Sequence, residues 1–270
     1  MWGELRGITS TSDSLYKNVI KPLNADVFIC CQKTGKDIDN NISLFKDNIV
    51  DKQLYDKPNL NDVYKHLDAI ENKGNFRIDS NLQMYYNFYK INKLYGKLFE
   101  TEYDYIILSR SDFLHIFEFP NISNLTKNDD IIWSYDEHDY GGINMCLLVV
   151  PAKYIVRYLT STYNYLNDES NIDKLNRLDL NNEKLYKLYF NENNWKIGKI
   201  QNNAFITCDS DKEITTWGEI KYSDKYNVYY KYEYQMNNSY ESYEQYKNGD
   251  TWTYKYSDID RIILSKPSKV

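Results

Sequence analysis

Apolar runs of strand length recur along this chain, and stretches with helical spacing separate them, an alternation that leaves few folds open. Ala25-Asp26-Val27-Phe28-Ile29-Cys30-Cys31 is nearly continuous in apolar residues, the pattern of a strand covered on both faces. Tyr103 to Leu108, Ile131 to Ser134 and Ile143 to Val150 read the same way. Between them, residues 80–100 place Leu82, Tyr85, Tyr86, Tyr89, Leu94 and Leu98 at helical intervals. Pro151 opens a helix bearing Tyr154, Ile155, Tyr158 and Leu159. Asn61 caps an expected helix with Val63, Leu67 and Ile70, ended by Gly74, and residues 181–189 form a short capped one, followed by strands at 195–200 and 204–208. Units of this kind predict an α/β fold with a mostly parallel central sheet flanked by helices.

The remaining segments are less regular. Ser10-Thr11-Ser12-Asp13 offers capping residues ahead of Leu15, Val19 and Ile20, and Pro22 is expected to stop that helix. Residues 32–60 are polar and weakly patterned, which suggests a long surface insertion or a short helix around Ile42 to Ile49. From Thr215 to Tyr256 tyrosine alternates with Lys, Glu, Asp and Asn, and Asn248-Gly249 is a hairpin turn signal. The expected organisation is therefore an α/β body over residues 1–210 with a Tyr-rich antiparallel appendage over 211–270.

Composition excludes several classes. With 42% hydrophobic and 27% charged residues, 270 residues can bury a large core, which rules out collagen, coiled-coil arrays and wholly disordered chains. A net charge of -6, from 39 acidic against 33 basic side chains, argues against nucleic acid as a partner. No run reaches the ~20 apolar residues of a bilayer-spanning helix, and the start lacks the order of a secretory signal, so the cytoplasm is the expected location. Cys30, Cys31, Cys146 and Cys208 lie in or beside apolar runs without metal-ligand spacing and read as small buried hydrophobes. The 28 tyrosines accompany abundant Asn, Lys and Ile, a bias that an AT-rich genome produces without selection, so scattered tyrosines say little.

In open α/β sheets ligands bind beyond the carboxyl ends of strands. Three loops at such ends carry unusual chemistry: Gly3 to Ser12, Ser109 to Asp112 and Asp136 to Asn144. In Ser109-Arg110-Ser111-Asp112 a carboxylate can hold a divalent ion that bridges the phosphates of a sugar nucleotide while Arg110 neutralises them, or the two charges can close on each other as an ion pair. In Asp136-Glu137-His138-Asp139-Tyr140-Gly141-Gly142 crowded carboxylates suit metal binding or general-base work, or form a solvated acidic loop closed by a tight turn. No GxGxxG, P-loop or GxSxG pattern is present, which removes nicotinamide cofactors, P-loop NTPases and serine hydrolases of that type.

Taken in order, Gly-Glu-Leu-Arg-Gly at 3–7, Ala-Asp-Val-Phe-Ile at 25–29, Tyr-Asp-Tyr-Ile-Ile-Leu-Ser-Arg-Ser-Asp at 103–112 and His-Asp-Tyr-Gly-Gly-Ile-Asn at 138–144 resemble a family of GT-A glycosyltransferases from bacterial surface-polysaccharide clusters and large DNA viruses. The resemblance spans roughly residues 1–210. It implies a Rossmann-like sheet, transfer of a sugar from a UDP- or GDP-linked donor to a glycan or other hydroxyl acceptor, and Mn2+ or Mg2+ at a DxD-like motif. Carried onto this chain, Arg110, Ser111 and Asp112 take the DxD-like place, with Asp112 the metal ligand. Gly3, Glu4 and Arg6 lie in the loop after the first strand, beside the nucleotide. If the transfer inverts the sugar's configuration, a carboxylate must take the hydroxyl proton, and Asp136, Glu137 or Asp139 is the pool, with Asp139 the first choice; Tyr140, Gly141, Gly142 and Asn144 meet the sugar. The sequence departs from the pattern where Arg110 replaces the first acidic residue and where only Met1 and Trp2 precede Gly3, which shortens or removes the first strand. A noncatalytic protein of the same shape, binding a carbohydrate or nucleotide sugar, is the alternative these departures raise.

Overall fold

The computed structural model describes residues 1–4, 7–33, 38–67, 81–125, 131–136, 139–173, 181–210, 219–248, 252–256 and 259–264. The chain divides into two compact units. One comprises Met1–Tyr55, Ser109–Asn128 and Lys199–Val270; the other comprises Asp56–Leu108 and Asp129–Gly198.

The first unit begins with β1 (Trp2–Glu4), β2 (Val27–Gln32) and β3 (Ile49–Tyr55), all parallel, in the order β1-β2-β3. A first strand is thus present, and Gly3 and Glu4 sit within it, opposite Cys31 and Gln32, not in the loop beyond. The Met1 amino group donates to the Phe28 carbonyl at 2.6 Å, and Cys30 N–H donates to the Met1 carbonyl at 3.1 Å. Cys30 and Cys31 are buried, and burial pushes the Cys31 thiol up to about 12. β3 lies where sequence suggested an insertion. Most of its positions are half-buried or exposed, with only Tyr55 buried, so it lacks the apolar run that announces β2.

Between β1 and β2 the chain forms α1 (Ile8–Leu15), one wider π-helical turn (Tyr16–Ile20) and α2 (Lys21–Leu23). Pro22 does not stop this helix. It stands in the first turn of α2, where its missing N–H is not needed, and the helix ends at Asn24, whose φ of 47° is left-handed. The N-cap is Gly7, and the capping-type residues Ser10 to Asp13 lie inside α1. After β2 follow α3 (Ile38–Ile42) and a 3-10 stretch (Ser43–Asn48), which place the expected short helix slightly early.

The same unit holds a second sheet, in the order β10-β11-β9-β5, made of β5 (Phe113–His115), β9 (Ala204–Cys208), β10 (Lys221–Ser223) and β11 (Val228–Tyr230); its β10-β11, β11-β9 and β5-β9 pairs are antiparallel. Leu114, Phe205, Val228 and Tyr230 form a core cluster there, with Ile116, Tyr226 and Met236 packed against it. The Tyr-rich tail is not wholly antiparallel strand. Between β11 and the antiparallel hairpin β12 (Trp252–Tyr256)/β13 (Ile259–Leu264) stands a 15-residue helix, Glu233–Lys247, and Asn248 is its C-cap, not a hairpin turn. Gly249 lies outside the described residues.

In the second unit α4 (Leu60–Val63) is a single turn capped by Asn59, whose side chain accepts the Asn61 N–H. The expected Asn61-capped helix therefore stops at Tyr64, which is extended; its stretch from Ala69 to Gly74 lies outside the described residues. α5 (Gln83–Glu102), α6 (Ile122–Leu125, in the first unit), α7 (Ala152–Asn167) and α8 (Asn182–Glu192) follow in chain order, with Glu233–Lys247 as α9. α5 buries Met84, Tyr85, Phe88, Ile91, Tyr95 and Phe99, one helical face. The strands of the second unit, β4 (Tyr105–Ser109), β6 (Ile131–Tyr135), β7 (Leu147–Pro151) and β8 (Lys196–Ile200), run in the order β8-β6-β7-β4. β6 and β7 are buried throughout and pair antiparallel. Gly198 makes room for the Trp133 ring, since a Cβ there would meet it at 2.3 Å. Tyr85, Tyr158 and Tyr186 are fully buried, so these three tyrosines pack the core of this unit.

The fold is thus mixed α/β, but its strands are shared among small sheets. The expected mostly parallel central sheet is corrected by the antiparallel β6-β7, β5-β9, β9-β11 and β10-β11 pairs. Apolar runs such as Ile131 to Ser134 reported two-sided burial faithfully, and burial alone does not set strand direction. Among the described residues no helix is long and apolar enough to cross a membrane.

Candidate functional site

β4 ends at Ser109, and the chain turns through Arg110, Ser111 and Asp112 into β5. Ser111 and Asp112 are 2% and 3% exposed. The Arg110 guanidinium grips the Asp112 carboxylate with both prongs, Nε to Oδ1 at 2.8 Å and a terminal nitrogen to Oδ2 at 2.5 Å. A two-pronged, charge-assisted pair of this kind fixes both side chains. The Arg110 side chain is 24% exposed, against 4% for that of Asp112.

The backbone of this turn is laced to two distant segments of the same unit. The Asp112 carbonyl accepts from Thr207 N–H at 2.8 Å and from the Thr207 hydroxyl at 3.1 Å. The Ser111 carbonyl accepts from the Thr11 hydroxyl at 2.5 Å. Gly7 fits between them because it has no side chain: a Cβ would lie 2.7 Å from Thr207 Oγ1 and 3.1 Å from Asp112 Cα, at a φ of 65°. Gly7 N–H donates to Asp209 Oδ1 at 3.1 Å, so a carboxylate stands at the amino end of α1, where the helix dipole favours negative charge. Beside this junction lies an open hollow of about 400 Å³, bordered by Ser10, Asp209, Tyr222, Asn227 and Tyr229.

Two of the three loops singled out from sequence thus meet, through Gly7 and Thr11 on one side and Ser111 and Asp112 on the other. Arg6 lies outside the described residues. Asp209 was missed. It follows the apolar run Ala204 to Cys208 just as Asp112 follows Ile106 to Ser109, and that strand-end signal could have found it.

The third loop belongs to the second unit. Asp136 is half-buried, and Glu137 and His138 lie outside the described residues. Asp139 organises the turn: its carbonyl accepts Gly142 N–H at 2.5 Å, and its Oδ1 accepts Asn144 N–H at 2.8 Å. Asn144 is 3% exposed and its Oδ1 accepts Cys146 N–H, so its side chain serves the turn. Gly142 lies against α8, where a Cβ would come within 1.9 Å of the Glu183 carbonyl carbon. Ile143 N–H donates to the Glu183 carbonyl at 3.0 Å. Tyr140 is 58% exposed with a φ of 42°, and its carbonyl is held by the Asn181 side-chain amide at 3.0 Å.

The Mn2+ or Mg2+ implied by the resemblance finds an indifferent fit at Asp112. Both carboxylate oxygens already face a guanidinium, whereas a hard divalent ion wants a shell of oxygens without a competing cation. Among the described residues no three His, Cys, Asp or Glu side chains gather to hold a metal. The cation that this turn itself offers to a phosphate is the Arg110 guanidinium.

No family model matches the chain, and neither the curated proteins nor the solved structures compared with it include a match.

Proposed function

We propose that this chain is a glycosyltransferase that moves a sugar from a nucleotide-diphosphate donor to a hydroxyl acceptor. The observation that carries the reading is the junction of Gly7, Thr11, Ser111, Asp112 and Asp209, where strand ends far apart in sequence meet beside an open hollow. The order of motifs along residues 1–210 supports it. In this reading Asp112 orients Arg110, and the guanidinium neutralises the diphosphate as it leaves. The acceptor hydroxyl attacks the anomeric carbon, the bond to the diphosphate breaks, and the hydroxyl proton passes to a carboxylate. The exposed Tyr140 is proposed to stack on a sugar.

The test is a panel of nucleotide sugars assayed for thermal stabilisation and for donor hydrolysis, with and without Mn2+. Stabilisation together with turnover is expected. Neither effect from any UDP- or GDP-sugar would remove the reading. A second reading, a binding protein without catalysis, is favoured by one observation: Arg110 occupies both oxygens of Asp112. Stabilisation without turnover would select it.

A further inference from the structure

The hollow of the first unit is built from the first turn of α1, the end of β9 and the β10-β11 hairpin. Its volume of about 400 Å³ lies toward the small end of the ~300–1,000 Å³ found for small-molecule sites. One wall is aromatic: the Tyr222 and Tyr229 rings stand 5.0 Å apart and tilted by 59°. Tyr222 is 46% exposed, yet it is held in place, because its hydroxyl bonds to Asn227 Oδ1. Asn227 itself sits at a φ of 54°, in the turn between the two strands. Ser10 and Asp209 border it as well, and Gly7 N–H holds Asp209 by its Oδ1.

This combination selects a ligand class. Fixed rings offer a face to the C–H side of a sugar, while a carboxylate, an amide and a hydroxyl exchange hydrogen bonds with its hydroxyls. A phosphate is disfavoured, since Asp209 already stands where the amino end of α1 would attract an anion. We infer that the hollow binds a neutral carbohydrate and that this carbohydrate is the acceptor of the proposed transfer. The acceptor role rests on the transferase reading; the carbohydrate site does not.

The test is saturation-transfer NMR on the full chain with the methyl glycosides of glucose, galactose, mannose and N-acetylglucosamine. At least one glycoside should receive saturation from tyrosine ring protons. Tyr222→Ala and Asp209→Asn should each weaken its binding about tenfold, the scale of one lost stacked face or hydrogen bond. Both side chains lie at the surface, and the amide oxygen introduced by Asp209→Asn would still accept the Gly7 N–H, so both variants should remain folded, with cooperative thermal melts and parental circular dichroism. No saturation of any glycoside by the folded protein, undiminished saturation in both variants, or displacement of the glycoside by inorganic pyrophosphate would each overturn the inference. Donor turnover on the same samples separates the two readings. Glycoside binding without any transfer keeps the carbohydrate site and removes its acceptor role. Transfer with an unchanged acceptor KM in both variants removes the hollow from the reaction and leaves the transferase reading standing.

Discussion

At Asp112 stability and proposed chemistry draw on the same carboxylate. The sequence left its loop open between a phosphate-facing turn and an internal ion pair, and the structure closes the pair. Asp112→Asn should therefore lower unfolding stability by about 1–3 kcal/mol, less than for a fully buried pair because Arg110 can turn to water; urea titration would show it. Gly7→Ala forces a Cβ against Thr207 and Asp112 in left-handed backbone, which should cost at least ~1–2 kcal/mol from the backbone alone. Gly142 admits no such compromise, since the obstacle is the Glu183 backbone, and Gly142→Ala should give little folded protein on expression. His115 supplies a pH dependence. It is 1% exposed, and burial, opposed by its Asn203 bond, lowers it from 6.5 to about 4. The unfolded chain takes up this proton below about 6.5 and the fold only near 4, so stability should fall as pH drops across that window, by up to about 3 kcal/mol. His115→Gln should flatten that part of the stability curve measured by urea titration at pH 7, 5.5 and 4.

Among the elements, legibility followed chemistry. β2, β6, β7 and β9 were visible because both of their faces are apolar, and α8 because Asn181 caps it through the Lys184 N–H. α9 was not, because its buried face is polar. Gln235, Ser239 and Ser242 lie at helical spacing and turn inward, where Ser239 donates to the Ala204 carbonyl at 2.9 Å and Gln235 accepts the Ile206 N–H at 3.3 Å. The tyrosines among and around them, Tyr232, Tyr234, Tyr240, Tyr243 and Tyr246, produced an alternation that looked like strand. Ser239→Ala should cost about 1 kcal/mol through the lost bond, and Ser239→Leu about 1–3 kcal/mol through overpacking, both read from thermal melts. The meeting of Gly7 with Asp112 was legible only as a rule about strand ends; the partners Thr207 and Asp209 come from pairing across 95 and 202 residues that local pattern does not encode.

For the whole molecule, the tail is structural. β11 pairs with β9, and Val228 and Tyr230 complete the cluster with Leu114 and Phe205. The chain cut after residue 210 should lose the cooperative unfolding of the first unit, seen as a broadened or absent transition in circular dichroism; an unchanged melt would show that the tail is dispensable. The two-unit division has a consequence for synthesis. The second unit has all its chain once Gly198 has been made, whereas Met1–Tyr55 must wait for Lys199–Val270 before its unit can close. Domains generally fold as units while the chain is made. Met1–Tyr55 is therefore made well before the Lys199–Val270 stretch that completes its unit, and the parallel pairing of Val27–Gln32 with β1 and β3, all within Met1–Tyr55, is what can form in the interval.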